Sequence, residues 1–222
     1  MKPDVKSLPN YSKKEEILNT CTHLFGFIFS IIVLAYFIIN NVTKNLSFVY
    51  MIPYYVYALS MMIVFLVSSL YHSSKSSSKC RAILRIIDHS NIYLFVFATY
   101  LPLCLYAINN RLITILAITI EVILMITGII LNIIPINNKI IKLIAYLIYI
   151  IDGWLMILFY PFNIGMDFII FLFILLGGVI YSIGAISYAL GKAKRYFHSL
   201  FHLFVVLGSI TQFIGIYILF TK

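Results

Sequence analysis

Residues 45–74 read NLSFVYMIPYYVYALSMMIVFLVSSLYHSS, with no Asp, Glu, Lys or Arg among them. A helix needs about 20 apolar residues to cross a hydrocarbon layer about 30 Å thick, and this stretch is longer than that. A transmembrane strand would be about half as long and would alternate polar with apolar side chains, which this stretch does not. The pattern repeats in both directions along the chain. Residues 17–43, 89–110, 168–191 and 196–221 are also free of charged side chains, and 112–138 and 143–166 each hold one acid, Glu121 and Asp152. The spacing predicts seven helices at about 21–40, 48–71, 89–109, 112–134, 141–160, 168–190 and 198–220. The expected fold is all-α: a seven-transmembrane-helix bundle over residues 21–222, preceded by a short polar tail over residues 1–20.

Composition excludes the other classes. Of 222 residues, 63% are hydrophobic and 10% charged, against about 25% charged in a soluble domain. So few charges cannot cover a water-facing surface, and a chain this apolar and aromatic is not disordered. Three cysteines, Cys21, Cys80 and Cys104, make neither a disulfide framework nor a thiolate metal site. The first apolar run is too long for the core of a signal peptide and has no cleavage site after it, so no cleaved leader is expected.

The net charge of +9 marks cytoplasmic loops in a membrane protein, and no nucleic acid partner is expected. Lys2, Lys6, Lys13 and Lys14 precede the first helix; Lys75, Lys79, Arg81 and Arg85 follow the second. Lys139 and Lys142 follow the fourth, and Lys192, Lys194 and Arg195 the sixth. These thirteen share one face, against Lys44, Arg111 and Lys222 on the other. The asymmetry predicts a cytoplasmic N-terminus and an outside C-terminus, with the plasma membrane as the expected location. G-protein-coupled receptors have the opposite orientation.

In that frame His23, His72, His89, His198 and His202 all fall at cytoplasmic helix ends, and Asp88 lies at the same depth. Histidines also favour the polar interface of any bundle. His198 and His202, however, are spaced i, i+4, which puts two imidazoles one turn apart on one helix face. That geometry supplies two ligands to one zinc ion. His72 and Asp88 could join them from two other helices. Three imidazoles without thiolates leave a fourth position for water, whose pKa zinc would lower to about 7. Asp88 could orient that water or take its proton. Ser68, one turn before His72, could hydrogen-bond in the same pocket, or bond back to its own helix.

These residues also carry a resemblance. Glu16-Ile-Leu-Asn19-Thr-Cys-Thr-His23 is similar to an E-x-x-N-x-x-T-H motif, and Ser68-Ser-Leu-Tyr-His72 to S-x-x-x-H. Arg85-Ile-Ile-Asp88-His89-Ser90-Asn-Ile92, Thr99-Tyr100-Leu-Pro102, Gly153-Trp154 and Gly177-Gly178-Val-Ile-Tyr181-Ser-Ile-Gly184-Ala follow in order. The last piece is His198-Ser-Leu-Phe-His202, running on to Gly208-Ser209. The ordered set resembles the hemolysin III family, within the progestin and adipoQ receptor superfamily. The resemblance implies seven helices and a zinc ion near the cytoplasmic face. His72, His198 and His202 would be its ligands, Asp88 would hold the water on the ion, and Ser68 would stand close by. Members of the wider superfamily resemble alkaline ceramidases, which hydrolyse a lipid amide. Two positions depart from the family pattern: Gln212 stands where a histidine is frequent, and Ala98 replaces a glycine.

Glu121 and Asp152, expected near mid-membrane, suggest an ion or proton path. The plainer alternative is that each is protonated or hydrogen-bonded to a neighbouring helix, since no basic residue shares their depth. Three functions compete. One is a zinc hydrolase acting on a membrane lipid amide or ester. The second is a cytolytic or channel-forming protein, and the third a receptor-like or lipid-regulating protein in which zinc is structural.

Overall fold

The computed structural model describes residues 8–134, 139–159, 166–191 and 194–222. Lys2, Lys6 and Lys192, which enter the basic count, lie outside the described residues. Among the described residues, seven helices follow in order: α1 (Lys13–Thr43), α2 (Phe48–Ser73), α3 (Lys79–Tyr106), α4 (Arg111–Ile133), α5 (Lys139–Phe159), α6 (Phe168–Leu190) and α7 (Phe197–Thr221). Five of them, α1, α2, α4, α6 and α7, are long and apolar enough to cross a membrane. Their outer faces carry large apolar side chains. Ile32, Ile39, Leu112 and Ile186 are each more than half exposed, a surface suited to lipid. Helices satisfy their own backbone groups, which a medium without water requires.

Helices α2, α4, α5, α6 and α7 start within two residues of where the charge pattern puts them. α1 and α3 start eight and ten residues earlier, at Lys13 and Lys79. Both early starts have caps. The Ser12 N–H donates to Glu15 Oε2 at 2.9 Å and the Glu15 N–H to Ser12 Oγ at 3.4 Å, which is a capping box. Ser78 Oγ accepts the Arg81 N–H at 3.0 Å. Residues 13–20, expected in the tail, are therefore helical, as are Arg81 and Arg85, expected in a loop. A helix that projects past the hydrocarbon can carry charge, so charge alone does not end it.

Consecutive helices pack against one another, α7 closes against α1, and α3 also touches α7. Phe37, Tyr54, Met61, Phe65, Leu103 and Ile216 fill the interior. Small residues bring α6 and α7 together, as in many membrane bundles. A Cβ on Gly208 would lie 2.8 Å from the Tyr181 ring, and the Tyr181 hydroxyl is hydrogen-bonded to Ser209 at 2.7 Å. Gln212 is buried against Gly177, where a Cβ would collide with its side chain. Ala98 is fully buried in α3.

Glu121 on α4 and Asp152 on α5 are 2% and 0% exposed. Each carboxyl acts directly on the other. With about 1.5 Å of rise per residue, both stand roughly 18–20 Å from the α4–α5 connection. Each acid thus has the other helix's acid as its neighbour.

Candidate metal centre

The N-terminal ends of α1, α3 and α7 and the C-terminal end of α2 share one end of the bundle. His72 is in the last turn of α2; His198 and His202 are in the first two turns of α7. All three are buried, at 2%, 6% and 1% exposure. One nitrogen from each lies within 4.8 Å of the other two. His198 Nε2 is 3.4 Å from His72 Nε2 and 3.0 Å from His202 Nε2.

The group behind His72 decides which of its nitrogens carries the proton. His72 Nδ1 is 2.7 Å from Glu16 Oε2. The other Glu16 oxygen pairs with the Arg81 guanidinium, and a carboxylate ionised in that pair only accepts, so Nδ1 donates and Nε2 keeps its lone pair. The Asn19 amide lies 3.3 Å from the same Nδ1. His202 Nδ1 is 2.7 Å from His23 Nε2, which likewise turns its own Nε2 toward His198. Three imidazoles thus aim Nε2 atoms at one point.

Neutral lone pairs at 3.0–3.4 Å repel one another unless a cation or a proton lies among them. Zinc–nitrogen bonds of about 2.0–2.1 Å at tetrahedral angles would separate ligand nitrogens by about 3.3–3.4 Å. The donor set therefore fits a metal ion.

The approach of α7 is held from α1 as well. Tyr196, just before α7, has φ 65, a left-handed conformation uncommon outside glycine. Its N–H donates to Glu15 Oε1 at 2.8 Å. Gly191 packs on the same turn, where a Cβ would lie 2.9 Å from the His198 backbone nitrogen. Tyr11, ahead of α1, stacks on His198 with centroids 4.4 Å apart and planes 12° apart. Burial pushes the Tyr11 phenol above its ordinary value, so the ring over His198 is neutral.

Ser68 and Asp88 lie at the same end, outside the histidine group. Ser68 is 1% exposed, and its Oγ has no hydrogen-bond partner among the described residues. Asp88 sits beside Ser68 and Arg85, its side chain 14% exposed. It lies nine residues into α3 rather than before it, which carries it about 13 Å along the helix from Lys79. His89 is engaged elsewhere: Nδ1 lies 2.8 Å from the Arg85 carbonyl oxygen and Nε2 3.3 Å from the Tyr188 hydroxyl.

The sequence places Glu16, Asn19 and His23 in a motif and Arg81 among the basic residues, but gives none of them, nor Tyr11, a part in the histidine group. A signal for two of them, Asn19 and His23, was present. The buried positions of α1 are Glu15, Asn19, His23, Gly26, Ser30, Val33 and Phe37. At spacings of three and four they form one inward stripe, polar for its first two turns.

The family described as haemolysin-III related matches residues 11–213. The "Hemolysin-3 homolog" of Bacillus subtilis (strain 168) is 33% identical over 205 residues, covering 91% of this chain and 93% of that protein. The "Hemolysin-3" of Bacillus cereus is 38% identical over 202 residues, covering 90% and 89%. Both similarities cover about nine-tenths of this chain and of the relative. With the match running from Tyr11 on the histidine centre to Phe213 in α7, the chain belongs to the haemolysin-III related family, within the progestin and adipoQ receptor superfamily.

Proposed function

We propose that this chain is a seven-span membrane protein with a cytoplasmic N-terminus, acting as a zinc-dependent hydrolase of lipid amide or ester bonds. The observation that carries this reading is the convergence of three buried Nε2 atoms at the polar end of an otherwise apolar bundle. His72, His198 and His202 would hold the ion. When bound, zinc supplies a polarising charge for the scissile carbonyl and makes water a nucleophile near neutral pH.

The other steps belong to side chains. Asp88 takes a proton from the attacking water and returns it to the leaving amine or alcohol. Ser68, buried beside Asp88, donates a hydrogen bond to the carbonyl oxygen as negative charge grows on it. Tyr11 covers the centre on the side of the N-terminal segment. An acyl chain would instead enter between helices whose outer faces are apolar. Three donors without thiolate favour an open, catalytic site over a closed, structural one.

The test is metal analysis of the purified chain, paired with hydrolysis of ceramide-type amides and phospholipid esters in mixed micelles. About one zinc per chain and turnover abolished by chelation are expected. Zinc-loaded protein that cleaves neither class, but conducts ions across a planar bilayer, would replace this reading with the channel one.

A further inference from the structure

Two adjacent acids open α1, and they diverge. Glu15 reaches the Tyr196 N–H at the entry to α7. Glu16 turns the other way, toward α2 and α3. Its Oε2 is 2.7 Å from His72 Nδ1, and its Oε1 pairs with the Arg81 guanidinium. Arg81 is 1% exposed. Its Nη1 donates to the Ser74 carbonyl oxygen at 2.9 Å, and its guanidinium lies 4.8 Å from the Tyr71 ring centroid. Ser74 and Tyr71 flank the end of α2 that bears His72. One carboxylate is thus held by a buried cation on one oxygen and meets a proposed metal ligand with the other.

An imidazole with one proton has two tautomers, and only one leaves Nε2 free. A carboxylate at Nδ1 selects that tautomer, fixes the ring plane and makes the opposite nitrogen more basic. We propose that Glu16 is a positioning residue of the metal centre: anchored by Arg81, it holds His72 as the Nδ1–H tautomer with Nε2 toward His198 and His202. This rests on the metal reading above and adds to it the carboxylate that makes His72 a competent ligand. The alternative is that Glu16 and Arg81 are only a structural ion pair, with His72 an incidental neighbour.

Two measurements on the full chain in detergent separate these. The first is nitrogen NMR of histidine-labelled, metal-free protein. His72 is expected to carry its proton on Nδ1, and Glu16→Ala to mix the tautomers. The second is zinc affinity by chelator competition. Glu16→Ala is expected to weaken binding by about 10–100-fold while keeping the same capacity at high zinc. Glu16→Gln should fall between, because its amide oxygen still accepts from Nδ1. His72→Ala serves as the reference for the metal reading. If His72→Ala loses zinc while folded Glu16→Ala keeps wild-type affinity, the positioning role is overturned and the metal site stands. If the wild type binds no zinc, or His72→Ala binds it unchanged, both fall together. If Glu16→Ala does not fold, the wild-type tautomer still decides, and an Nε2 proton on metal-free His72 overturns the proposal.

Discussion

His202 and His89 are both histidines at the same end of the bundle, and their neighbours give them different work. His202 has its Nδ1 against His23 and its Nε2 against His198. His89 spends both nitrogens on the Arg85 carbonyl and the Tyr188 hydroxyl. Alanine at His72, His198 or His202 is therefore expected to lower zinc content strongly, and alanine at His89 to leave it unchanged, as measured by elemental analysis of folded protein. Asp88→Asn separates chemistry from metal retention. It keeps the size and one accepting oxygen of Asp88 but cannot take a proton, so the variant should fold, hold zinc and lose lipid turnover. Full turnover in zinc-loaded Asp88→Asn would remove Asp88 from the chemistry. The three histidines were legible in the sequence because i, i+4 spacing is a local pattern on α7 and His72 falls at the matching depth at the end of α2. Glu16 and Arg81 were not, because a charge in an apolar chain reads first as a mark of water. Here the two charges neutralise each other beneath the histidines, a pairing between residues on α1 and α3 that no local pattern carries.

At the scale of helices, the charge pattern located α6 closely because Asp167, which bounds its charge-free gap, also caps its first turn. It truncated α1 and α3, whose first turns are charged yet capped. That loss mattered, because the missing turns carry Glu15, Glu16 and Arg81. It also makes the α1 cap testable. Ser12→Ala removes the hydroxyl that receives the Glu15 N–H and donates to Glu15 Oε2 at 2.7 Å. It should cost about 1 kcal/mol, read as a lower unfolding temperature in detergent, with Ser12→Thr close to wild type. Between α6 and α7 the constraint is volume. Gly208→Ala would set a methyl 2.8 Å from a Tyr181 ring that its bond to Ser209 holds in place. Overpacking of this kind costs about 1–3 kcal/mol. Gly153→Ala, where a Cβ meets nothing within 4 Å, is the control, and equal melting of the two variants would contradict the close approach.

At the scale of the whole molecule, the location of the histidine end relative to the cytoplasm depends on orientation. Basic residues set orientation when they lie in short segments near helix ends. Arg81 weakens the count slightly, because in the folded chain it is buried against Glu16 rather than facing water. Setting it aside leaves twelve Lys and Arg on the histidine side against three on the other, so the expectation keeps its sign. The far end has its own character: Tyr54 and Tyr106 stack with centroids 5.6 Å apart, and Lys222 pairs with Asp167, with no histidine among the described residues there. A reporter fused after Lys222 is therefore expected on the non-cytoplasmic side, and one inserted near Ser76 on the cytoplasmic side. The two positions are informative together because they lie at opposite ends of the bundle, so a single-pass rearrangement at either end would break their complementarity. If Ser76 reported outside and Lys222 inside, the metal geometry would survive, since it depends only on contacts within the bundle. The source of water and the leaflet supplying the lipid would then exchange, and the basic residues around α3 would face the outer headgroups.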